Sequence, residues 1–313
     1  RAHRHLYPCF MRKSSRDDYR GGSRVKRDIW GKSVLFVPGL LIYVVFMLIP
    51  IGMSIYYSFF DWDGISPTYR FVGLRNFIDG LRDDKFLRAM GVTLFITVMG
   101  TLAVNGCGLL LAIVLNRPGK LTNFYRSVFF FPMLLSAVVV GFLWKAILNY
   151  NGVLNTLLEK MGLSPLEAFG TPENAILTIT LIIIWQSLGG VIVLYLAGLQ
   201  GIPKDLYEAA KMDGASPVQE FRHVTFPMLA PSVTMCMVFM FVTLAREYDR
   251  IAVMTNGGPG GATETAAFVV VRLGINTHQY SYAAGLAVMT LILFGLLSLF
   301  MTLYFRRREE RIL

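Results

Sequence analysis

Six long apolar segments constrain what this chain can fold into more than any other feature of its sequence. They lie at about 33–60, 89–116, 123–148, 174–199, 232–248 and 281–305. Apolar runs of about 17 to 25 residues span a bilayer as helices, because a helix satisfies its own backbone polar groups where no water is present. A hydrophobic share of 54% and a mean hydropathy of +0.53 agree with this interpretation. The sequence therefore predicts an all-α, polytopic membrane protein with six transmembrane helices.

Prolines and glycines within these spans predict two local features, which are helix kinks and close contacts between helices. Proline lacks the N–H that continues a helix, so the first and third spans are expected to kink. The prolines concerned are Pro38, Pro50 and Pro132. Small residues in the second span allow another helix to approach closely. They are Gly100, Gly106 and Gly108.

Positive charge is unevenly distributed along the chain, whose formal net charge is +10. Twenty of the 30 Lys and Arg residues fall in four segments on one side of the predicted spans: 1–32, 116–127, 201–230 and 306–313. Eight fall in the three segments on the other side: 61–88, 149–173 and 250–280. Cytoplasmic loops carry the excess of basic residues, so the first set is predicted to be cytoplasmic. This distribution explains the net charge without nucleic acid as a partner.

The same distribution predicts three parts of the chain. Residues 1–32 form a cytoplasmic basic tail, and its first 24 residues are expected to be disordered,. Residues 33–305 form a six-helix transmembrane domain that includes the cytoplasmic segment 201–231. Residues 306–313 form a second cytoplasmic tail, because the run Arg306–Arg308 is expected to end the sixth helix.

Signatures of catalytic chemistry are weak. Cys9, Cys107 and Cys236 have neither a metal-site nor a disulfide spacing, and the four histidines form no ligand motif,. The Gly31–Ser33 stretch lacks the earlier glycine of a phosphate-binding loop,. The chain is therefore predicted to need no cofactor and to hydrolyse no ATP by itself.

The polar segment 201–231 lies between the fourth and fifth spans and is predicted to form two short helices. Asp205 can cap the first helix, with Glu208 at the capping-box position, and Gly214 is suited to end it,. The cap and the breakers of the second helix are Ser216, Pro217, Gln219, Pro227 and Pro231,. Capping alone is compatible with an ordinary helical loop on the cytoplasmic side.

One motif in this segment is more specific. Glu208-Ala209-Ala210, Gly214 and Pro227 match the pattern E-A-A-x3-G-x9-I-x-L-P, with Val224 for Ile and Phe226 for Leu. The segment therefore resembles the coupling loop of ABC importer permeases. Further stretches resemble the sugar-type branch of that family: SFFDWDG (58–64), FVGLRNF (71–77), FYRSVFFFP (124–132) and VMTNGGP (253–259). The resemblance covers residues 33–305 and is closest to the first, maltose-permease-like chain.

The resemblance implies a type I ABC importer permease fold in the bacterial inner membrane, with both termini cytoplasmic. It implies a subunit of an ATP-driven, binding-protein-dependent importer of a sugar, most simply an oligosaccharide. The implied partners are a second permease in a heterodimer, two ATPase subunits, an extracytoplasmic solute-binding protein and the lipid bilayer. Coupling to the ATPase is implied for Glu208, Ala209, Ala210, Asp213, Gly214 and Pro227. Glu208 and Asp213 can alternatively be helix caps and solvated charges.

Other transport and enzyme classes remain as alternatives. Within the family, the solute could be glycerol phosphate, an amino acid or a peptide. A secondary transporter usually needs buried acidic residues, and the spans hold almost none before Glu247,. A membrane enzyme needs a nucleophile or a metal cluster, and no such pattern is visible.

Polar and aromatic residues inside apolar spans are the candidates for a solute pathway, because they are costly unless they face protein or water. The candidates are Trp185, Gln186, Ser187 and Tyr195 on the fourth span and Arg246 and Glu247 on the fifth. Sugars bind by stacking on aromatic rings and by hydrogen bonds to amides and hydroxyls. Each candidate has a structural alternative: a packed tryptophan, polar residues that tie helices together, or pairing of Arg246 and Glu247 with each other or with the second permease.

The charge distribution makes a topology prediction. A cysteine introduced by Gly119→Cys or Lys204→Cys is expected to react only from the cytoplasm, and one introduced by Gly73→Cys or Gly260→Cys only from outside. An impermeant thiol reagent applied to sealed, right-side-out cells checks this assignment. Labelling of the Lys204→Cys variant from outside would refute it.

Overall fold

The computed structural model describes residues 36–117 and 119–312, and the side chains of residues 311 and 312 are not described. The predictions for the tail 1–32 lie outside these residues. The chain divides into two compact units, Arg1–Met53 and Ser54–Leu313, and each is described by itself.

The first unit contributes most of one apolar helix. Helix α1 covers Phe36–Tyr57 and continues into the second unit after Met53. It contains a π-helical stretch at Val44–Leu48, just before Pro50, which cannot donate a backbone hydrogen bond,. The helix ends three residues earlier than the predicted limit at Phe60.

The segment after α1 is folded rather than an irregular loop. Strands β1 (Phe60–Asp61) and β2 (Arg70–Phe71) pair antiparallel, and helix α2 (Arg75–Arg82) follows. Asn76 on α2 fixes the hairpin, because its Nδ2 donates to the carbonyls of Ser58 at 2.8 Å and Phe60 at 2.7 Å. This buried amide holds α2 against the end of the first helix.

The tip of the hairpin is stabilised by its own side chains. The Ser66 hydroxyl and the backbone N–H groups of Ser66 and Ile65 donate to the Asp63 carboxylate and lower its pKa to about 2. The Trp62 indole N–H donates to the Ser66 carbonyl at 2.8 Å. The Trp62 side chain is therefore fixed by a local turn.

The remaining elements of the second unit are helical. In chain order they are α3 (Asp84–Leu115), α4 (Thr122–Leu134), α5 (Ala137–Leu148), α6 (Val153–Lys160), α7 (Pro172–Gln200), α8 (Lys204–Met212), α9 (Pro217–Met228), α10 (Ala230–Leu244), α11 (Asp249–Met254), α12 (Ala266–Asn276) and α13 (Tyr280–Ile312). Within the described residues, five stretches are long and apolar enough to cross a membrane. A sixth is obtained if α9 and α10, which are bent by 64°, form one broken span.

The predicted third span is interrupted. Pro132 lies inside α4, which ends at Leu134, and Ser136 caps α5 by accepting a hydrogen bond from the N–H of Val139 at 3.3 Å. Leu135 between them has an extended backbone (φ −81°, ψ 143°). The expected kink is therefore a break in the helix, and the candidate crossing stretch starts at Ala137 and includes α6.

Helices α3 and α7 form the centre of the second unit. Gly108 lets α7 approach, because a Cβ at this position would lie 2.8 Å from a methyl group of Val191. Gly100 similarly accommodates Leu244 of α10. The prediction of close packing is thus confirmed for these two glycines, whereas Gly106 has open space around it within the described residues.

Helix α13 does not end where the sequence analysis placed its end. It continues through Arg306–Arg308 to Ile312. Arginine and glutamate favour the helical backbone, so a charged run ends the apolar span without ending the helix. Cationic side chains near a helix C-terminus also interact favourably with the helix dipole.

The backbone conformation identifies better labelling positions for the topology experiment. Gly73 and Gly260 both have a φ of +60°, which strains a cysteine,. Thr68 and Lys160 are both exposed. Thr68 lies in the same predicted outer segment as Gly73, 61–88, and Lys160 lies in the second predicted outer segment, 149–173. Thr68→Cys and Lys160→Cys therefore report sidedness without backbone strain.

Adjacent glycines on α7 allow a matched test of packing. A Cβ at Gly189 would lie 2.7 Å from the backbone oxygen of Phe129, whereas one at Gly190 would meet the flexible side chain of Met133 at 3.2 Å. Gly189→Ala is expected to lower the free energy of unfolding by about 1–3 kcal/mol, since backbone cannot move aside as a methionine can. Thermal unfolding in detergent compares the two variants, and equal melting temperatures would contradict this packing.

Candidate functional site

The predicted coupling segment forms a short helix with one buried face and one exposed face. Helix α8 begins at Lys204 after Pro203, and no side chain caps it. The cap predicted at Asp205 is wrong: Asp205 lies in the first turn, where its charge favours the positive end of the helix dipole,. Glu208 is exposed and forms no capping box.

The buried face of α8 is anchored by Tyr207. This side chain packs against the core cluster formed by α3, α7 and α10, and its hydroxyl lies 3.3 Å from Oγ1 of Thr225 on α9. Two apolar side chains of α8 are exposed, Leu206 by 40% and Met212 by 89%. An exposed apolar side chain of this size beside charged residues suits a cleft on another protein.

Gly214 ends α8 in the left-handed conformation that the sequence analysis predicted. Its φ is +74°. The N–H of Ala215 donates to the carbonyl of Ala210 at 3.0 Å, and the N–H of Gly214 donates to Lys211 at 3.1 Å. These two bonds form a Schellman motif, which needs a residue that tolerates positive φ. Asp213 occupies the C-cap position just before it.

Helix α9 confirms the second predicted cap. Ser216 and Gln219 form a reciprocal capping box, with Pro217 at the first helical position. The chain then passes through a π-helical turn at Phe221–Thr225 and continues past Pro227 to Met228 before the 64° bend. The predicted stop is therefore a bend just after Pro227.

The polar residues of the fourth span are in different environments. Gln186 is 5% exposed, and its Nε2 donates to the carbonyl of Leu135 at 2.9 Å. Its Oε1 accepts a hydrogen bond from Nε of Arg250 at 2.9 Å. Trp185 is 37% exposed, and its ring meets the edge of Trp144 at 5.5 Å. Gln186 therefore joins neighbouring segments through buried hydrogen bonds, whereas the ring of Trp185 is partly accessible.

The other candidates are spread along the spans. Tyr195 is 1% exposed and donates from its hydroxyl to Oδ1 of Asn105 on α3, at 2.8 Å. Ser187 is half-buried. The structure places Tyr195 in the core rather than beside Trp185.

Glu247 forms an ion pair that the sequence analysis missed. It is 7% exposed, and its carboxylate binds the guanidinium of Arg250. The suggested pairing of Arg246 with Glu247 is wrong, because Arg246 is exposed and its Nε donates to the carbonyl of Val242 at 3.3 Å. The available signal was the i,i+3 spacing between Glu247, which lies just before α11, and Arg250 on the first turn of that helix,.

A second ion pair borders an open cavity on the predicted outer side. Glu264 is 8% exposed and binds the guanidinium of Arg272. The cavity has a volume of about 1450 Å³ and lies between the start of α3, the glycine-rich turn at 259–262 and α12. It is lined by charged side chains of both signs, including Arg82, Arg88 and Arg272. Nothing in the sequence spacing indicated this cavity.

Comparisons with known proteins agree on one family. The profile of the binding-protein-dependent transport system inner membrane component matches residues 105–313. The multiple sugar-binding transport system permease protein MsmF of Streptococcus mutans is 33% identical over 88% of this chain and 94% of its own length. The probable starch degradation products transport system permease protein AmyD of Thermoanaerobacterium thermosulfurigenes is 32% identical over 91% of this chain and 96% of its own length.

Solved structures show the same fold. A chain of a bacterial ABC transporter involved in the import of the acidic polysaccharide alginate superimposes with a TM-score of 0.78. The two chains are 23% identical, and the match covers 92% of this chain and 99% of the other.

Proposed function

This chain belongs to the family of binding-protein-dependent transport system inner membrane components, and from that membership we propose that it is a membrane-spanning permease subunit of an ATP-driven sugar importer. The two relatives compared above are named for the transport of multiple sugars and of starch degradation products. Both names refer to saccharides, and this supports a sugar, most simply an oligosaccharide, as the solute.

The observation that carries the coupling role is the geometry of α8. Leu206 and Met212 are exposed apolar side chains, here called the knob, while Tyr207 anchors the helix to the core. A knob held this way can enter a cleft on an ATPase subunit and transmit its movement. In this proposal Glu208 and Asp213 border the knob, Ala209 and Ala210 keep it narrow, and the turn at Gly214 directs the chain into α9.

The remaining partners follow from the same proposal. A second permease completes the pathway as a heterodimer, two ATPase subunits supply hydrolysis, and an extracytoplasmic solute-binding protein delivers the sugar. The charge distribution supports a cytoplasmic position for α8 and for both termini. The open cavity beside Arg272 then lies on the side where solute arrives.

The solute pathway is proposed to include the accessible face of the fourth span. Trp185 offers an exposed ring in an apolar helix, which suits stacking against the face of a sugar,. Arg246 is exposed at the end of α10 and can reach solute or the second permease. Gln186, Glu247 and Tyr195 are assigned positioning roles, since their polar atoms already have protein partners.

Gly214 tests the coupling role. Gly214→Val is expected to strain the backbone by about 1–3 kcal/mol, because a β-branched residue is disfavoured at positive φ. Gly214→Asn is the matched control, since asparagine tolerates this conformation. Solute-stimulated ATP hydrolysis of the reconstituted complex is expected to fall in the valine variant and to persist in the asparagine variant. Wild-type stimulation in an assembled valine variant would contradict the coupling role.

Trp185 and Gln186 test the pathway separately from stability. Trp185→Ala is expected to reduce sugar uptake by whole cells while the melting temperature and basal ATPase activity persist. Gln186→Ala is expected to lower stability by about 1–2 kcal/mol, because an interhelical hydrogen bond is lost inside the membrane. Unchanged uptake kinetics in the Trp185 variant, at equal protein level, would remove this face of the fourth span from the pathway.

A further inference from the structure

The extension of α13 beyond its apolar part contacts both arms of the bend that follows α9. The guanidinium of Arg308 lies 5.8 Å from the ring centroid of Phe226, on the α9 side of the bend. The carboxylate of Glu309 lies 3.3 Å from the hydroxyl of Thr234, on the α10 side, which it shares as acceptor with the Ala230 carbonyl at 3.0 Å. Two consecutive residues of one helix therefore hold the two sides of the same bend.

The bend keeps only part of its helical hydrogen bonds: Leu229 donates to the Thr225 carbonyl at 3.0 Å and accepts from the N–H of Val233 at 2.9 Å. Pro227 and Pro231 flank Leu229, and neither has an N–H with which to continue the helical ladder,. The π-helical turn at Phe221–Thr225 further departs from regular helix just before the bend,. Because the ladder is interrupted on both sides, side-chain contacts from outside the segment have more influence on the angle than in a regular helix.

The bend is connected to the coupling helix through the neighbour of Phe226. Thr225 is 7% exposed, and its Oγ1 lies 3.3 Å from the hydroxyl of Tyr207 on α8. Contacts therefore run from α8 through Thr225 and Phe226 to Arg308. On the other side of the bend, Glu309 reaches α10, which carries the fifth span into the membrane.

We propose that the last turns of α13 are a brace that fixes the angle between α9 and α10, with Arg308 and Glu309 as its positioning residues. When α8 is displaced, α10 then moves with it, because the angle between α9 and α10 does not change. The proposal rests on the proposed function, since it assigns to this turn the transmission of ATPase movement into the membrane. It assigns no contact with solute or nucleotide to either residue.

The test uses the complete reconstituted complex with its ATPase subunits and binding protein. The double variant Arg308→Ala with Glu309→Gln removes both contacts. Its matched control is Arg306→Ala with Glu310→Gln, which alters the same charges on the same helix at positions that make no hydrogen bond or ion pair with the described residues. Solute-stimulated ATP hydrolysis is expected to fall about fivefold or more in the double variant, the lower range of typical allosteric coupling. Basal hydrolysis and the control variant are expected to be unchanged.

A distance measurement tests the brace independently of hydrolysis. Spin labels are attached through Lys204→Cys at the start of α8 and Phe239→Cys on α10, both exposed positions, in a background that lacks the native cysteines. The distance distribution between the labels is expected to broaden in the double variant and to remain narrow in the control. Lost stimulation with an unchanged distribution would overturn the positioning role.

Two further variants guard against a simple folding defect. Phe226→Leu removes the aromatic ring but keeps an apolar side chain, and it is expected to reproduce the Arg308→Ala effect without adding to it. Arg308→Lys keeps a cation over the ring and is expected to retain most of the stimulation. Additive losses from Phe226→Leu and Arg308→Ala would contradict the contact.

Comparison with Gly214→Val separates this proposal from the coupling role itself. If that variant keeps wild-type stimulation, the coupling role of α8 fails, and the distance distribution alone decides the brace. If Gly214→Val uncouples hydrolysis while the double variant behaves as wild type in both measurements, the brace fails and the coupling role stands.

Discussion

The break between α4 and α5, within an apolar segment, is stabilised by the side-chain amide of Gln186. The chain leaves helical geometry at Leu135, and its carbonyl there has no place in a regular helical ladder. Gln186 of α7 donates to this carbonyl, while its oxygen is held by Arg250, whose guanidinium also neutralises the buried Glu247. An unsatisfied carbonyl in hydrocarbon costs several kcal/mol, so these contacts make the break tolerable. Three regions distant in the sequence are thereby fixed relative to one another.

Close helix packing provides the second constraint within the unit that contains these residues. Without water to drive apolar side chains together, helices in a membrane gain stability from close contact, and small residues allow it. Gly108 on α3 and Gly189 on α7 both face atoms that leave no room for a side chain. In contrast, helix α8 has no fully buried residue, and Tyr207 anchors it to the core. The closely packed helices and this exposed helix are therefore built differently.

Much of the architecture could be predicted from the sequence because it depends on local signals. Apolar length predicted the spans, and the Ser216 capping box and the left-handed Gly214 were visible as short motifs. The errors have different causes. The break at Leu135 depends on Gln186, 51 residues away in the sequence. The ion pair of Glu247 is local, but the backbone geometry places Arg250 rather than Arg246 beside the carboxylate. Similarly, composition correctly ended the apolar span before Arg306 but could not end a helix made of helix-favouring residues.

Helix α13 has a mechanical consequence beyond its packing. At 1.5 Å per residue, its uninterrupted 33 residues make a rod of about 50 Å,. Near its first turn, the Tyr282 hydroxyl donates to Asp83, the residue that caps α3. Near its last turn, Glu309 binds Thr234. Because the helix between Tyr282 and Glu309 is continuous, it keeps these two attachment points about 40 Å apart without any intermediate side-chain contact,.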